Sequence, residues 1–176
     1  MFKTIIKTNF ILLFICSLSL AQTISDIKVD GNKRISKEAI ITFGDIDFNK
    51  DYNDDDLDLV LKNIYETNFF KKINLRINNS TLEISVIENP IIEDVQINGI
   101  KSTKLTELLF DKIKLKNRSS YIESLFLSDL NLVKNILKSS GYYFADVKTT
   151  STLNEEQNST RLTYNINLGK RAKIHE

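Results

Sequence analysis

The sequence predicts an α+β fold made twice over from one small unit, ordered strand, helix, helix, strand, strand. Three observations predict it. Short runs alternate apolar and polar residues, as half-buried strands do: Ile27 and Val29; Ile73, Leu75 and Ile77; Leu82, Ile84 and Val86; Val95 and Ile97; Leu162, Tyr164, Ile166 and Leu168. Two longer runs carry apolar residues at helical spacing, Leu57-Val60-Leu61-Ile64-Tyr65 and Leu130-Val133-Ile136-Leu137. Landmarks also recur: Gly31 with Gly99, Asn68-Phe69-Phe70 with Gly141-Tyr142-Tyr143, and Leu82-Ile84-Val86 with Leu162-Tyr164-Ile166. Their offsets grow from 68 to 80 residues, as insertions in loops produce. Each unit is small, so its core is marginal and its stability is expected to lean on the junction with its neighbour.

In chain order, residues 24–30 alternate and read as a strand, and Gly31-Asn32 supplies a turn. Ser36 suits the N-cap of a short helix over residues 37–43. A polar stretch, residues 45–53, leads to Asp54-Asp55-Asp56. Three acids complement the positive end of a helix dipole and cap free N–H groups, so the next helix starts here. Asn68 tolerates the left-handed conformation that ends it. The turn at residues 78–80 closes a hairpin between the next two strands. In the second unit, residues 103–110 form a short helix and residues 122–139 a long one, with Gly141 as its C-cap. Ala145, Val147 and Thr149 mark one strand, and the alternation from Leu162 to Leu168 marks the last.

The two halves meet at Glu88-Asn89-Pro90. Pro90 is the sole proline of the chain; it has no N–H and holds Asn89 extended, so strand pairing stops there. No Gly/Ser linker separates the strands on either side. The joint is therefore expected to be short and semi-rigid.

The first 21 residues read as a secretory signal peptide: Lys3 and Lys7, the apolar run from Phe10 to Leu20, then Ser19 and Ala21 at the positions a signal peptidase reads. Ile15 before Cys16 argues against a lipoprotein signal. Cys16 falls inside the signal, which leaves the exported chain without a thiol or disulfide. Removing Lys3 and Lys7 leaves 22 basic against 23 acidic residues, a net charge of −1. That balance gives no reason to propose nucleic acid as a partner.

The arrangement resembles the POTRA domain, the periplasmic module of BamA-like outer-membrane assembly factors. The residues that carry the likeness are Ile27-x-Val29-x-Gly31-Asn32-Lys33-Arg34-Ile35, Asn68-x-Phe70 and Gly141-x-Tyr143, Val86-x-Glu88-x-Pro90, and Gly169-Lys170-Arg171. The resemblance implies tandem βααββ units, each a three-stranded mixed sheet under two helices. It divides the chain into a signal peptide at 1–21, a first unit at 22–90, a second at 91–168, and at 169–176 the start of a further, truncated unit. It also implies unfolded outer-membrane proteins and accessory lipoproteins as partners, and a membrane barrel that this chain lacks.

Catalysis finds little support. His175 is the only histidine and stands next to the end, so no histidine triad or zinc site can be assembled. No glycine loop cradles a phosphate, and no cofactor is expected. Asp47-x-Asn49-x-Asp51 imitates the start of a calcium loop, but Tyr52 stands where the sharp turn needs glycine. A solvated loop and helix cap is the better reading.

What remains is peptide capture by strand addition. In a sheet ordered first–third–second, as the resemblance implies, the second strand of each unit is an edge. The candidate residues are Ile73, Asn74, Leu75, Arg76 and Ile77 in the first unit, and Asp146, Val147, Lys148 and Thr149 in the second. Unpaired N–H and C=O groups there can bond any extended peptide. Arg76, Asp146 and Lys148 can equally be charges that guard an edge against unwanted pairing. Proline at Asn74 or Arg76, whichever N–H points outward, is expected to weaken binding.

The joint residues Glu88, Asn89 and Pro90 are a second candidate site. Glu88 reads either as a surface charge or as a contact that fixes the angle between units. Lys33 and Arg34 read as a solvated turn. Two of the aromatics Phe69, Phe70, Tyr142 and Tyr143 read as core anchors. Asn79 and Asn158 mark exposed loops. Two rival functions share these features: a POTRA segment of a two-partner secretion transporter, and a stand-alone periplasmic scaffold.

Overall fold

The computed structural model describes residues 22–172. The expected signal peptide and the last four residues of the expected third unit lie outside this range. The first unit begins with β1 (Gln22–Thr23) and β2 (Asp26–Asp30), followed by α1 (Lys37–Gly44). Next come β3 (Asp51–Tyr52) and α2 (Asp54–Glu66), then the hairpin of β4 (Phe70–Asn78) and β5 (Thr81–Glu88). The second unit repeats the order with β6 (Ile91–Asn98), α3 (Thr103–Lys112), α4 (Glu123–Ser139), β7 (Asp146–Asn154) and β8 (Ser159–Asn167).

Each unit has a three-stranded mixed sheet. The orders are β2-β5-β4 and β6-β8-β7. The last strand sits in the middle, parallel to the first and antiparallel to the second. A parallel neighbour needs a long crossover, and the two helices provide it. Along β5, Leu82, Ile84, Val86 and Glu88 are buried. The first three join Ile27 of β2, Ile40 of α1 and Val60 and Ile64 of α2 in one core. The second unit has its own core, in which Val95, Leu162, Tyr164 and Ile166 meet Leu105 and Leu109 of α3 and Val133 and Leu137 of α4.

The helix starts follow the sequence. The Ser36 side chain accepts from Ala39 N–H, and Asn53 forms a reciprocal capping box with Asp56. The turn glycines have one shared cause. Gly31 and Gly99 both have positive φ, and a Cβ on them would stand 2.1 Å from the Val86 carbonyl oxygen and 1.8 Å from that of Ile166. The chain leaving the first strand crosses directly over the backbone of the middle strand, and no side chain fits there.

Two features depart from the expectations of the sequence. Gln22–Thr23 pairs with Asp51–Tyr52 in a small antiparallel bridge that two-residue strands cannot announce. The strand expected around residues 145–149 runs on to Asn154, because pairing with β8 sustains it although residues 150–154 are all exposed and show no alternation of burial.

Candidate functional site

β4 and β7 lie at the free edges of their sheets, and the candidate residues 73–77 and 146–149 lie on them. The register decides which backbone groups face outward. The β4–β5 turn, Asn79-Ser80, has positive φ at both residues, so the closing pair Asn78↔Thr81 exchanges ladder bonds. Alternate pairs then follow suit, which turns Arg76 and Asn74 toward β5. The N–H groups of Ile77, Leu75 and Ile73 face away. The Ile73 N–H donates to the Tyr65 hydroxyl at 3.1 Å, as this parity requires. Proline at Asn74 or Arg76 would therefore break the sheet and not the edge; Leu75 and Ile77 are the outward donors. Arg76 is also tied across the ladder to Glu83.

In the second unit a four-residue turn separates the closing pair Asn154↔Ser159, and Asn158 at its end is left-handed. The Thr160 hydroxyl donates to the Thr152 carbonyl at 3.2 Å, so that carbonyl faces β8. Val147, Thr149, Ser151 and Leu153 thus present their N–H groups outward, while Asp146 and Lys148 face the ladder. Ser151 and Leu153 lie beyond the expected edge residues, which end at Thr149. The polar run that follows Thr149 carries no alternation to mark them as strand.

The joint is more tightly built than its three residues suggest. Glu88 is 4% exposed, so it is no surface charge. Its Oε1 accepts the backbone N–H groups of Lys33, Arg34 and Ile35 at 2.7, 2.9 and 3.0 Å, and its Oε2 accepts from Arg34 Nε at 3.1 Å. Burial pushes the Glu88 carboxyl up, but these three N–H groups and the Arg34 charge outweigh it and hold the carboxyl below the ordinary glutamate range. Arg34 stays an exposed turn residue, as expected, but its guanidinium is engaged: its Nη2 donates to the Asn89 carbonyl at 2.9 Å. Asn89 is fixed as well, donating from N to Phe69 O at 2.8 Å and from Nδ2 to Asn68 O at 2.9 Å.

The second unit grips the same backbone. Asn158 Nδ2 donates to the Glu88 carbonyl at 3.3 Å, Ile91 N donates to Asn158 O at 3.0 Å, and Tyr121 N donates to Pro90 O at 2.8 Å. Asn158 is thus part of the joint and not an exposed loop marker. Its left-handed backbone folds the hairpin tip back onto residues 88–91. A cleft of about 420 Å³ opens beside the joint, lined among others by Phe70, Lys71, Pro90, Tyr121, Ser151 and Leu153.

The aromatic corners divide unevenly. Phe70 is buried, Phe69 packs at a tilt against Phe43 and Tyr142 packs on the second core, so three residues anchor where two are expected. Tyr143 is 61% exposed, and its neighbour Phe144, which no sequence pattern singles out, is 83% exposed. Asp129 is a further polar residue outside the expected sites. It is buried on α4 and accepts the N–H groups of Lys114 and Leu115 at 2.8 to 2.9 Å. Its one signal in the sequence is an acid four residues before Val133, on the apolar stripe of the helix. No group of three or more possible metal ligands occurs among the described residues.

Comparison with known proteins shows what the chain is similar to. Residues 90–169 match the POTRA family model, described as surface antigen variable number repeat. The chain is 28% identical over 112 residues to the outer membrane protein assembly factor BamA of Neorickettsia risticii, covering 64% of this chain and 15% of that protein. It is 31% identical over 97 residues to BamA of Neisseria meningitidis, covering 54% of this chain and 12% of that protein. The matched stretch is thus a small part of either relative. The N-terminal domain of Omp85 from Thermosynechococcus elongatus shares the fold, with a TM-score of 0.51 and 15% identity over 82% of this chain and 61% of that one. Residues 90–169, which hold the second unit, thus match the POTRA family model, and the first unit repeats the same strand order.

Proposed function

We propose that the chain is the periplasmic part of an outer-membrane β-barrel assembly factor, and that it holds unfolded clients by adding their strands to β4 and β7. The observation that carries this reading is the row of outward N–H groups on β7, at Val147, Thr149, Ser151 and Leu153. Backbone pairing is indifferent to client sequence, which suits a receptor for many unfolded barrel proteins. In this reading residues 1–21 direct export, residues 22–90 and 91–168 are the two working units, and a barrel beyond this chain receives the client. Accessory lipoproteins dock on the same scaffold. The role is binding and not catalysis, and it needs no cofactor; client folding in the membrane supplies the driving force.

The test is titration of a nine-residue barrel-strand peptide into the purified chain, followed by NMR shifts of backbone amides. Shifts along β7 and β4 support the reading. Ser151→Pro removes an outward N–H at an exposed position and is expected to abolish the β7 shifts, whereas Ser151→Ala keeps them. A folded Ser151→Pro chain that binds as before would overturn strand addition at β7.

A further inference from the structure

We propose that β4 and β7 form one continuous track for a single extended polypeptide, which passes from one unit to the other through the joint cleft. This rests on the strand-addition reading and goes beyond it. The cleft is lined by the first residues of β4, Phe70 and Lys71, and by the last part of β7, Ser151 and Leu153. The end of one edge and the beginning of the other therefore border the same cleft. Polarity is what makes the track usable. β7 runs from Asp146 into the cleft, and β4 runs from the cleft out to Asn78. A peptide antiparallel to β4 is then antiparallel to β7 as well, and the same holds for parallel pairing. Had both strands run into the cleft, one chain could not pair with both in the same sense. Each edge strand has nine residues, so a segment of about 20 residues, extended over about 65 Å, would span both; on β4 it pairs at Leu75 and Ile77, because Tyr65 already holds the Ile73 N–H.

The cleft itself suits the crossing. Phe70, Pro90, Tyr121 and Leu153 offer apolar walls, and Leu153 is 53% exposed. A residue between the two paired stretches can place an apolar side chain there and cover Leu153. The fastening of Asn89 by Arg34 and Asn158 keeps the two edges in one arrangement, so the second pairing event is intramolecular.

The experiment compares two synthetic probes on the whole chain. One is a nine-residue peptide of alternating threonine and valine with lysine ends. The other joins two such segments through Ser-Leu-Ser. The doubled peptide is expected to bind one chain per peptide and at least about tenfold tighter than the single one. Ser151→Pro is expected to reduce the doubled peptide to the affinity of the single one, with Ser151→Ala as the control that retains the gain. If the single peptide binds and the doubled one shows no gain, or bridges two chains, the track is wrong and strand addition stands. If neither peptide binds, strand addition fails and the track with it.

Discussion

Both units fold the same five elements, yet each fixes a different loop with its buried carboxylate. In the first unit Glu88, at the exit of β5, gathers the N–H groups of residues 33–35. The corresponding position at the exit of β8 is Leu168, and the turn after Gly99 reaches its helix cap, Ser102, two residues sooner than the turn after Gly31 reaches Ser36. The second unit instead places Asp129 on α4, where it holds the loop between its helices at Lys114 and Leu115. That loop continues into residues 117–120, which bond the start of β6. The first unit therefore invests its charge in the joint and the second in shielding its first strand. The edges differ in the same sense: Tyr65 occupies the first outward donor of β4, while Ser151 of β7 stands exposed.

The largest expected effect tests what the units share. Gly31→Ala and Gly99→Ala each put a methyl group into a carbonyl oxygen at positive φ, and each should cost its own unit about 3 kcal/mol or more. Thermal unfolding followed by amide exchange in each unit shows whether the damage stays local. Equal loss of protection in both units from either variant would erase the distinction between them.

Removing the carboxylates comes next. Glu88→Ala and Asp129→Ala each leave a cluster of backbone N–H groups without its acceptor, at an expected cost of about 3 kcal/mol. The two should differ in one readout. Glu88→Ala is expected to broaden the distance distribution between spin labels on the two units, and Asp129→Ala to leave it narrow. The pH dependence sharpens this. The folded Glu88 pKa lies below its unfolded value, so its contribution is complete above about pH 4.5 and is lost as pH falls through the lower folded value. Melting curves from pH 7 down to pH 3 should therefore converge for the native chain and Glu88→Gln at the acid end. A constant gap across that range would remove Glu88 as the acid-sensitive group.

A smaller effect isolates the grip of the second unit. Asn158→Gly, which keeps the left-handed backbone, loses the bonds to the Glu88 and Asn89 carbonyls, with about 1 kcal/mol less stability and a wider inter-unit distribution. The smallest concerns Tyr164, which stands where the first unit has Ile84. Its hydroxyl is buried without a partner among the described residues, and burial, with the Asp129 and Tyr121 charges, pushes its pKa up. Tyr164→Phe should be neutral or stabilising by up to about 1 kcal/mol in a denaturant titration.

Periodicity and punctuation alone made the duplication, the helices at Ser36 and Asp54, the turn glycines and the break at Pro90 legible, because each is a local preference of the backbone or of one amphipathic face. The edge strands were legible only through the resemblance, since nothing in INLRIN or DVKTT states which neighbour it lacks. Three matters were decided by tertiary structure alone. The outward parity of Leu75 and Ser151 depends on turn geometry at Asn79 and Asn158, one hairpin turn away from the residues it governs. The roles of Glu88 and Asp129 depend on N–H groups 53 to 55 and 14 to 15 residues away in sequence. The cleft shared by the ends of β7 and β4 lies where Asn158 bonds a backbone 70 residues earlier. Local sequence sets which groups need partners; only the packed chain brings the distant partner within hydrogen-bond reach.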